Sequence, residues 1–214
     1  MNLKLLVVLL LFSGMSCSLQ AQEKQYRFMV MGVPQQMFFH GIRIELDLAQ
    51  KKEHHWITIA PQFYFSNHGS NGILSNNNFE KLFGGGIDIF SRHYLSRKKS
   101  ASGAYLSWGG GYRYLNLNTT DYLWSTFQEN GLVYYRRQHT NYDVQIHSLS
   151  ARGVAGWQFF IQEQMAVDVY FGFGLRFSSH QRPQGSFVTY NSSAFDYGYT
   201  GTLVVGGLRF GLGW

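Results

Sequence analysis

The residues of this chain that could do chemistry are charged side chains spaced two apart among large apolar ones. Arg43, Glu45 and Asp47 alternate with Ile42, Ile44, Leu46 and Leu48. Asp168 and Arg176 stand on the parity opposite Val167, Val169, Phe171, Phe173 and Leu175, and Arg152 on the parity opposite Leu149, Ala151, Trp157 and Phe159. Successive side chains on a strand point to opposite faces, so each segment collects its charges on one face and its apolar bulk on the other. With Arg27, Asp88, Arg92, Arg113 and Arg209 added, seven arginines and four carboxylates are expected on a common interior. The planar fork of arginine engages carboxylates bidentately, so the chemistry expected is a hydrogen-bonded ion network that fills this interior. The alternative is a narrow, anion-preferring path lined by the excess arginines.

Catalytic chemistry finds little support. His139, Asp143, His147 and Ser148 lie close in sequence, but His147 and Ser148 are neighbours on a strand and so project to opposite faces, which breaks a simple serine–histidine pairing. His54, His55 and His93 have no metal-ligand spacing and read as interfacial polar residues. The glycine triplets Gly84-Gly85-Gly86 and Gly109-Gly110-Gly111 fall inside strand-like segments, where they relieve crowding rather than cradle phosphate. No catalytic residue, metal or cofactor is expected. A lipid-modifying enzyme is the second alternative to a structural role.

Eight alternating segments must position these residues: Tyr26 to Val33, Phe38 to Ala49, His55 to Phe65, Leu82 to Leu95, Ala104 to Leu115, Val144 to Ile161, Met165 to Ser178 and Thr202 to Trp214. Most approach the roughly ten residues with which a tilted strand crosses a bilayer. The connections around Lys51 to Glu53, Arg97 to Ser102 and Gln162 to Gln164 are short, whereas Ser66 to Lys81, Asn116 to Asp143 and Ser179 to Gly201 are long. Tight turns at one end and long loops at the other characterise bacterial outer-membrane barrels, with the turns in the periplasm. Trp124, Tyr134, Tyr135, Arg136 and Arg137 in the longest loop have the aromatic and arginine composition of contact surfaces, although this stretch also reads as strand extension.

Composition agrees. Twenty-four glycines, 17% aromatic and only 14% charged residues leave the chain poor in helix formers and rich in strand formers. No apolar run reaches the roughly 18 residues of a helical span. Met1 to Ala21, with Lys4 ahead of the apolar run Leu5 to Phe12, has the layout of a secretory signal cleaved after Ala21, which leaves 22–214 as one domain. Gly14-Met15-Ser16-Cys17 is an alternative, lipoprotein-type processing site, disfavoured by Gly14. The net charge of +6 suits contact with anionic lipopolysaccharide or headgroups as well as a plain solvated surface; nucleic acid is not expected of an exported chain.

The last segment carries Leu208, Phe210, Leu212 and Trp214 on one face and glycines around Arg209 on the other. The leader, the eight segments, the loop asymmetry and Phe210-Gly211-Leu212-Gly213-Trp214 together resemble the small OmpA/OmpX-type outer-membrane β-barrel domain family. That resemblance implies an eight-stranded antiparallel transmembrane up-and-down barrel in the outer membrane of a Gram-negative-type bacterium. It also implies that the aromatic-ended last strand is the signal read by the barrel-assembly machinery. The family includes anchors, adhesion and defence proteins, narrow pores and some lipid-modifying enzymes, so fold does not select a role. The expectation is a monomer with a structural or surface-interaction role through its extracellular loops.

Overall fold

A computed structural model of the chain describes residues 26–50, 54–67, 79–95, 101–161, 163–181 and 190–214. The expected signal over residues 1–21, with Cys17, lies outside them. Eight strands follow in order: β1 (Phe28–Gly32), β2 (Gly41–Ala49), β3 (His55–Ser66), β4 (Lys81–Tyr94), β5 (Gly103–Glu129), β6 (Leu132–Phe160), β7 (Met165–Gln181) and β8 (Gly201–Gly213). Each pairs antiparallel with its sequence neighbour, and β8 pairs with β1 to close an up-and-down barrel. The closing seam runs from Met29 opposite Gly213 to Gly32 opposite Phe210. Beyond it, Arg27 N and Phe28 N donate to Trp214 O at 2.8 and 3.1 Å.

The alternation read from sequence sorts the two faces. Val204, Leu208, Phe210, Leu212 and Trp214 are exposed on the outside, while Arg209 is buried within. Ile42, Ile44 and Leu48 point out and Arg43, Glu45 and Asp47 in; Val169, Phe171, Phe173, Leu175 and Phe177 point out and Asp168 in. The outer surface is thus the apolar one, which in water would leave a large aromatic and aliphatic area unburied. Glycines on the inner face make room for long polar side chains. A Cβ on Gly111 would overlap the Asp88 carboxylate, and one on Gly156 the Tyr105 hydroxyl.

The stretch 116–143, expected as a long connection that reads either as a contact loop or as strand extension, takes the second form. Here β5 and β6 continue far past the barrel and meet at Asn130-Gly131, whose φ values of 51° and 81° are those of a type I′ turn. Asn118 pairs with Lys81 on one side and Asp143 on the other. From Thr119 opposite Tyr142 to Glu129 opposite Leu132, the two strands pair only with each other among the described residues. Those eleven rungs make a hairpin roughly 37 Å long at 3.4 Å per residue. Asn-Gly was the available signal for it. The connection between β1 and β2 differs from that expected: a 3-10 turn, Pro34–Phe39, occupies the start expected for the second strand, with Met37 and Phe38 exposed.

Candidate functional site

The lumen is filled in three layers. At the turn end, Tyr26, Met29, Trp56, Tyr94, Tyr105 and Phe160 form an apolar plug, with Tyr26 stacked on Phe160 at 4.4 Å between ring centroids. At the loop end, Tyr64, Phe79, Leu82, Leu115, Leu117, Val144, Ile146, Tyr190 and Tyr197 form a second plug. Its two last members come from the segment before β8, which folds into the mouth: the Tyr197 hydroxyl donates to Phe39 O at 3.2 Å, and Arg113 Nη2 donates to Tyr197 O at 3.4 Å. The Asp196 carboxylate fixes this segment by accepting from Ser192 N at 2.8 Å and Ser193 N at 2.9 Å. Burial pushes the Tyr190 phenol up to about 12.

Between the plugs sits the ion network. Glu45 Oε1 accepts from Arg43 Nε at 2.9 Å, and its Oε2 lies 3.1 Å from Arg209 Nε and 3.6 Å from Arg92 Nη2. Arg92 also reaches Asp47 at 2.8 Å and Asp168 at 3.7 Å. Arg209 reaches Asp168 at 3.1 Å, and Asp88 is shared by Arg43 and Arg152. Neighbouring hydroxyls complete the carboxylates: Tyr105 donates to Asp168 Oδ1 at 2.7 Å and Thr58 donates to Asp47. Aromatic faces back the guanidiniums, with Arg209 3.9 Å from the Tyr170 ring centre and Arg92 4.7 Å from that of Tyr105. All four carboxylates are essentially inaccessible. Ions so buried are tolerated only when paired and hydrogen-bonded, and four arginines against four carboxylates achieve that balance.

Three of the seven arginines expected in this network stand elsewhere. Arg27 is exposed, because β1 starts at Phe28 and its side chain therefore lies below the barrel rim. Arg113 and Arg176 do enter the lumen but lie one layer higher: Arg113 is 5.5 Å from the Tyr64 ring centre and donates to its hydroxyl at 3.2 Å, and Arg176 Nη1 donates to Asp196 O at 3.4 Å. The excess of positive charge counted from sequence thus serves to hold the mouth segment. Sequence reading missed Tyr105, Gln158 and Thr58 as network members, since neutral polar residues of inward parity are common. Gln158 Oε1 accepts from Arg92 Nη1 at 3.1 Å and from the Tyr94 hydroxyl at 2.8 Å.

The cavity left in the middle of the network, lined by Arg43, Glu45, Arg92, Arg152 and Arg209 among others, has a volume of about 20 Å³. That suffices for about one water molecule and for no solute.

Ser148 points inward, in contact with Ser178 Oγ at 2.7 Å, while His147 points outward against the Tyr112 hydroxyl at 2.7 Å. The two are separated by the sheet, as their adjacency requires. On the hairpin, Trp124 faces Arg137, Tyr122 faces His139 and Thr126 faces Tyr135; these share one side. Tyr134 and Arg136 project from the other, together with Phe127, Asp121 and Glu129, so the five contact candidates are divided between two faces. Arg137 lies 4.7 Å from the Tyr122 ring centre. His55 and His93, which showed no spacing in sequence, are brought directly opposite each other on β3 and β4.

The chain matches no family model and no curated protein. Among solved structures it is similar to the crystal structure of Acinetobacter baumannii CarO, with a TM-score of 0.42 and 11% identity over 89% of this chain and 100% of that chain.

Proposed function

We propose that this chain is an outer-membrane β-barrel protein whose barrel is a closed anchor and whose working part is the external β5–β6 hairpin. Three observations support the reading. The outer surface is apolar and the charges are inside, as a bilayer requires when a charge facing lipid costs roughly 2 to 4 kcal/mol at the midplane. The lumen holds two apolar, aromatic-rich plugs around a neutralised ion network, and the cavity inside that network has room for about one water molecule. The hairpin stands past the last barrel rung with Tyr122, Trp124 and Tyr135 exposed.

The hairpin observation carries the proposal. On the side bearing those aromatics the charged group beside them is Arg137, and Asp121 and Glu129 lie on the opposite side. The carboxylates on the aromatic side, Glu80 bonded to Thr120 and Asp143 bonded to Asn118, stand at the base of the hairpin, and the flat aromatic faces beside Arg137 further out suit sugar rings and anionic groups, the chemistry of lipopolysaccharide at the outer leaflet. In this reading the protein is a monomer, non-catalytic, exported by its leader and inserted by the barrel-assembly machinery, which reads Leu208, Phe210, Leu212 and Trp214.

The test is to shorten the hairpin by joining Asp121 to Thr140 through an Asn-Gly turn. The barrel should assemble as before, since no barrel rung is lost, and retention on lipopolysaccharide-coated beads should fall by at least an order of magnitude. Equal retention of the shortened and complete proteins would overturn the proposal.

A further inference from the structure

We propose that His55 and His93 form a binding site for a divalent transition metal ion, zinc in the first instance, on the outside of the barrel at its turn end. The two residues are far apart in sequence, but the β3–β4 register sets them directly opposite. Both have the parity of outward-facing Ile57 and Ile89, so their rings meet on the outer surface rather than in the lumen. The ring centroids are 5.1 Å apart and the planes are inclined at 65°.

That separation is the one zinc needs. With about 2.0 to 2.1 Å from metal to nitrogen, roughly 1.1 Å from nitrogen to ring centre and a tetrahedral angle, two ligating imidazoles have centroids about 5.2 Å apart. The β3–β4 register already holds the two rings at that separation.

A second observation points the same way. His93 Nδ1 is buried and has no hydrogen-bond partner. Buried polar atoms ordinarily have one, and the nitrogen of a neutral imidazole that carries no proton is a lone-pair donor to a metal. Among the described residues no third histidine, cysteine or carboxylate joins the pair. The site is therefore a two-ligand one, completed by water or by phosphate oxygens, and exchangeable. Structural zinc sites, by contrast, close with four protein ligands. Imidazole ligands select zinc, copper and nickel and are poor ligands for magnesium and calcium.

The test uses untagged protein folded in detergent and titrated calorimetrically with zinc chloride. One zinc ion should bind per chain, and magnesium chloride should give no heat of binding. His55→Asn and His93→Asn should each weaken zinc binding roughly tenfold or more, in the range that perturbing a metal site produces. His54→Asn is the adjacent control: its φ of 75° suits asparagine, and binding should be unchanged. Cobalt as a spectroscopic stand-in should give the visible bands of a tetrahedral site in the unmodified protein and lose them in His55→Asn. Absence of zinc binding, indifference of binding to both pair variants, or equal loss in His54→Asn would overturn the proposal. None of these outcomes bears on the role of the hairpin.

Discussion

Neutralising Glu45 should destabilise the barrel more than any single change on its surface, and removing Arg43 as well should restore most of the loss. Glu45 touches Arg43 at 2.9 Å, Arg209 at 3.1 Å and Arg92 at 3.6 Å. In Glu45→Gln, four arginines face three carboxylates, and one buried guanidinium is left uncompensated. Breaking a buried pair in this way costs about 3 to 5 kcal/mol. Adding Arg43→Met returns the network to three against three, each cation with its own partner: Arg92 with Asp47 at 2.8 Å, Arg209 with Asp168 at 3.1 Å and Arg152 with Asp88. The apolar stem of methionine can occupy the place of Arg43 beside Phe90, over whose ring the guanidinium lies at 5.8 Å. Arg43→Met alone leaves four carboxylates against three arginines and should cost about 3 to 5 kcal/mol as well, whereas the double variant should lie within about 1 to 2 kcal/mol of the unmodified protein, a coupling of at least about 4 kcal/mol. Urea unfolding in liposomes, followed by the gel shift between folded and unfolded barrel, measures all four members of the cycle. Additive losses, with the double variant worse than Glu45→Gln, would show that the network is not held by charge balance.

Three further outcomes follow from the same geometry. Leu208→Arg puts a charge on the outer face and should cost roughly 2 to 4 kcal/mol if it lies near the midplane, well above Leu208→Ala in the same unfolding assay; equal costs would mean the outer face does not contact lipid. Deleting Trp214, whose backbone takes three hydrogen bonds with Arg27 and Phe28, or introducing Phe210→Asp on the closing strand, should abolish heat-modifiable barrel in outer-membrane fractions; normal yields would refute the role given to the last strand. Because the folded Tyr190 phenol is raised to about 12, its contribution to docking of the mouth segment is fully present below about pH 10 and is lost as pH rises through 12. Release of the segment should be seen as a rise in chymotryptic cleavage at Phe195, Tyr197 and Tyr199 between pH 10 and 12 that Tyr190→Phe suppresses; a cleavage rate that does not change over this range would refute it.

The barrel was legible in the sequence because a membrane sheet has two incompatible faces, and alternation at period two leaves no freedom about which residue points where. The strands around Arg43-Glu45-Asp47 and Val167 to Phe177 could be assigned inside and outside from parity alone. Height along the barrel is a different quantity, set by register and strand tilt. Parity could therefore count seven arginines inward but could not separate Arg43, Arg92, Arg152 and Arg209 from Arg113 and Arg176 a layer above, or from Arg27 below the rim. The hairpin stayed open between loop and strand extension because past Thr126 both of its faces are exposed and the sequence loses its alternation of apolar and polar residues. Its informative residues were Asn130-Gly131, whose positive φ values a two-residue turn demands. Register also hid the His55–His93 pair, since opposition across β3 and β4 depends on turns that composition does not fix.

Single-channel recording in planar bilayers tests the closed anchor most directly. The unmodified protein, folded and inserted, should show no steady conductance, because a cavity of about 20 Å³ between two aromatic plugs admits no hydrated ion. Large, stable, anion-selective currents from that protein would contradict the closed lumen and make it a pore lined by Arg43, Arg92, Arg152 and Arg209.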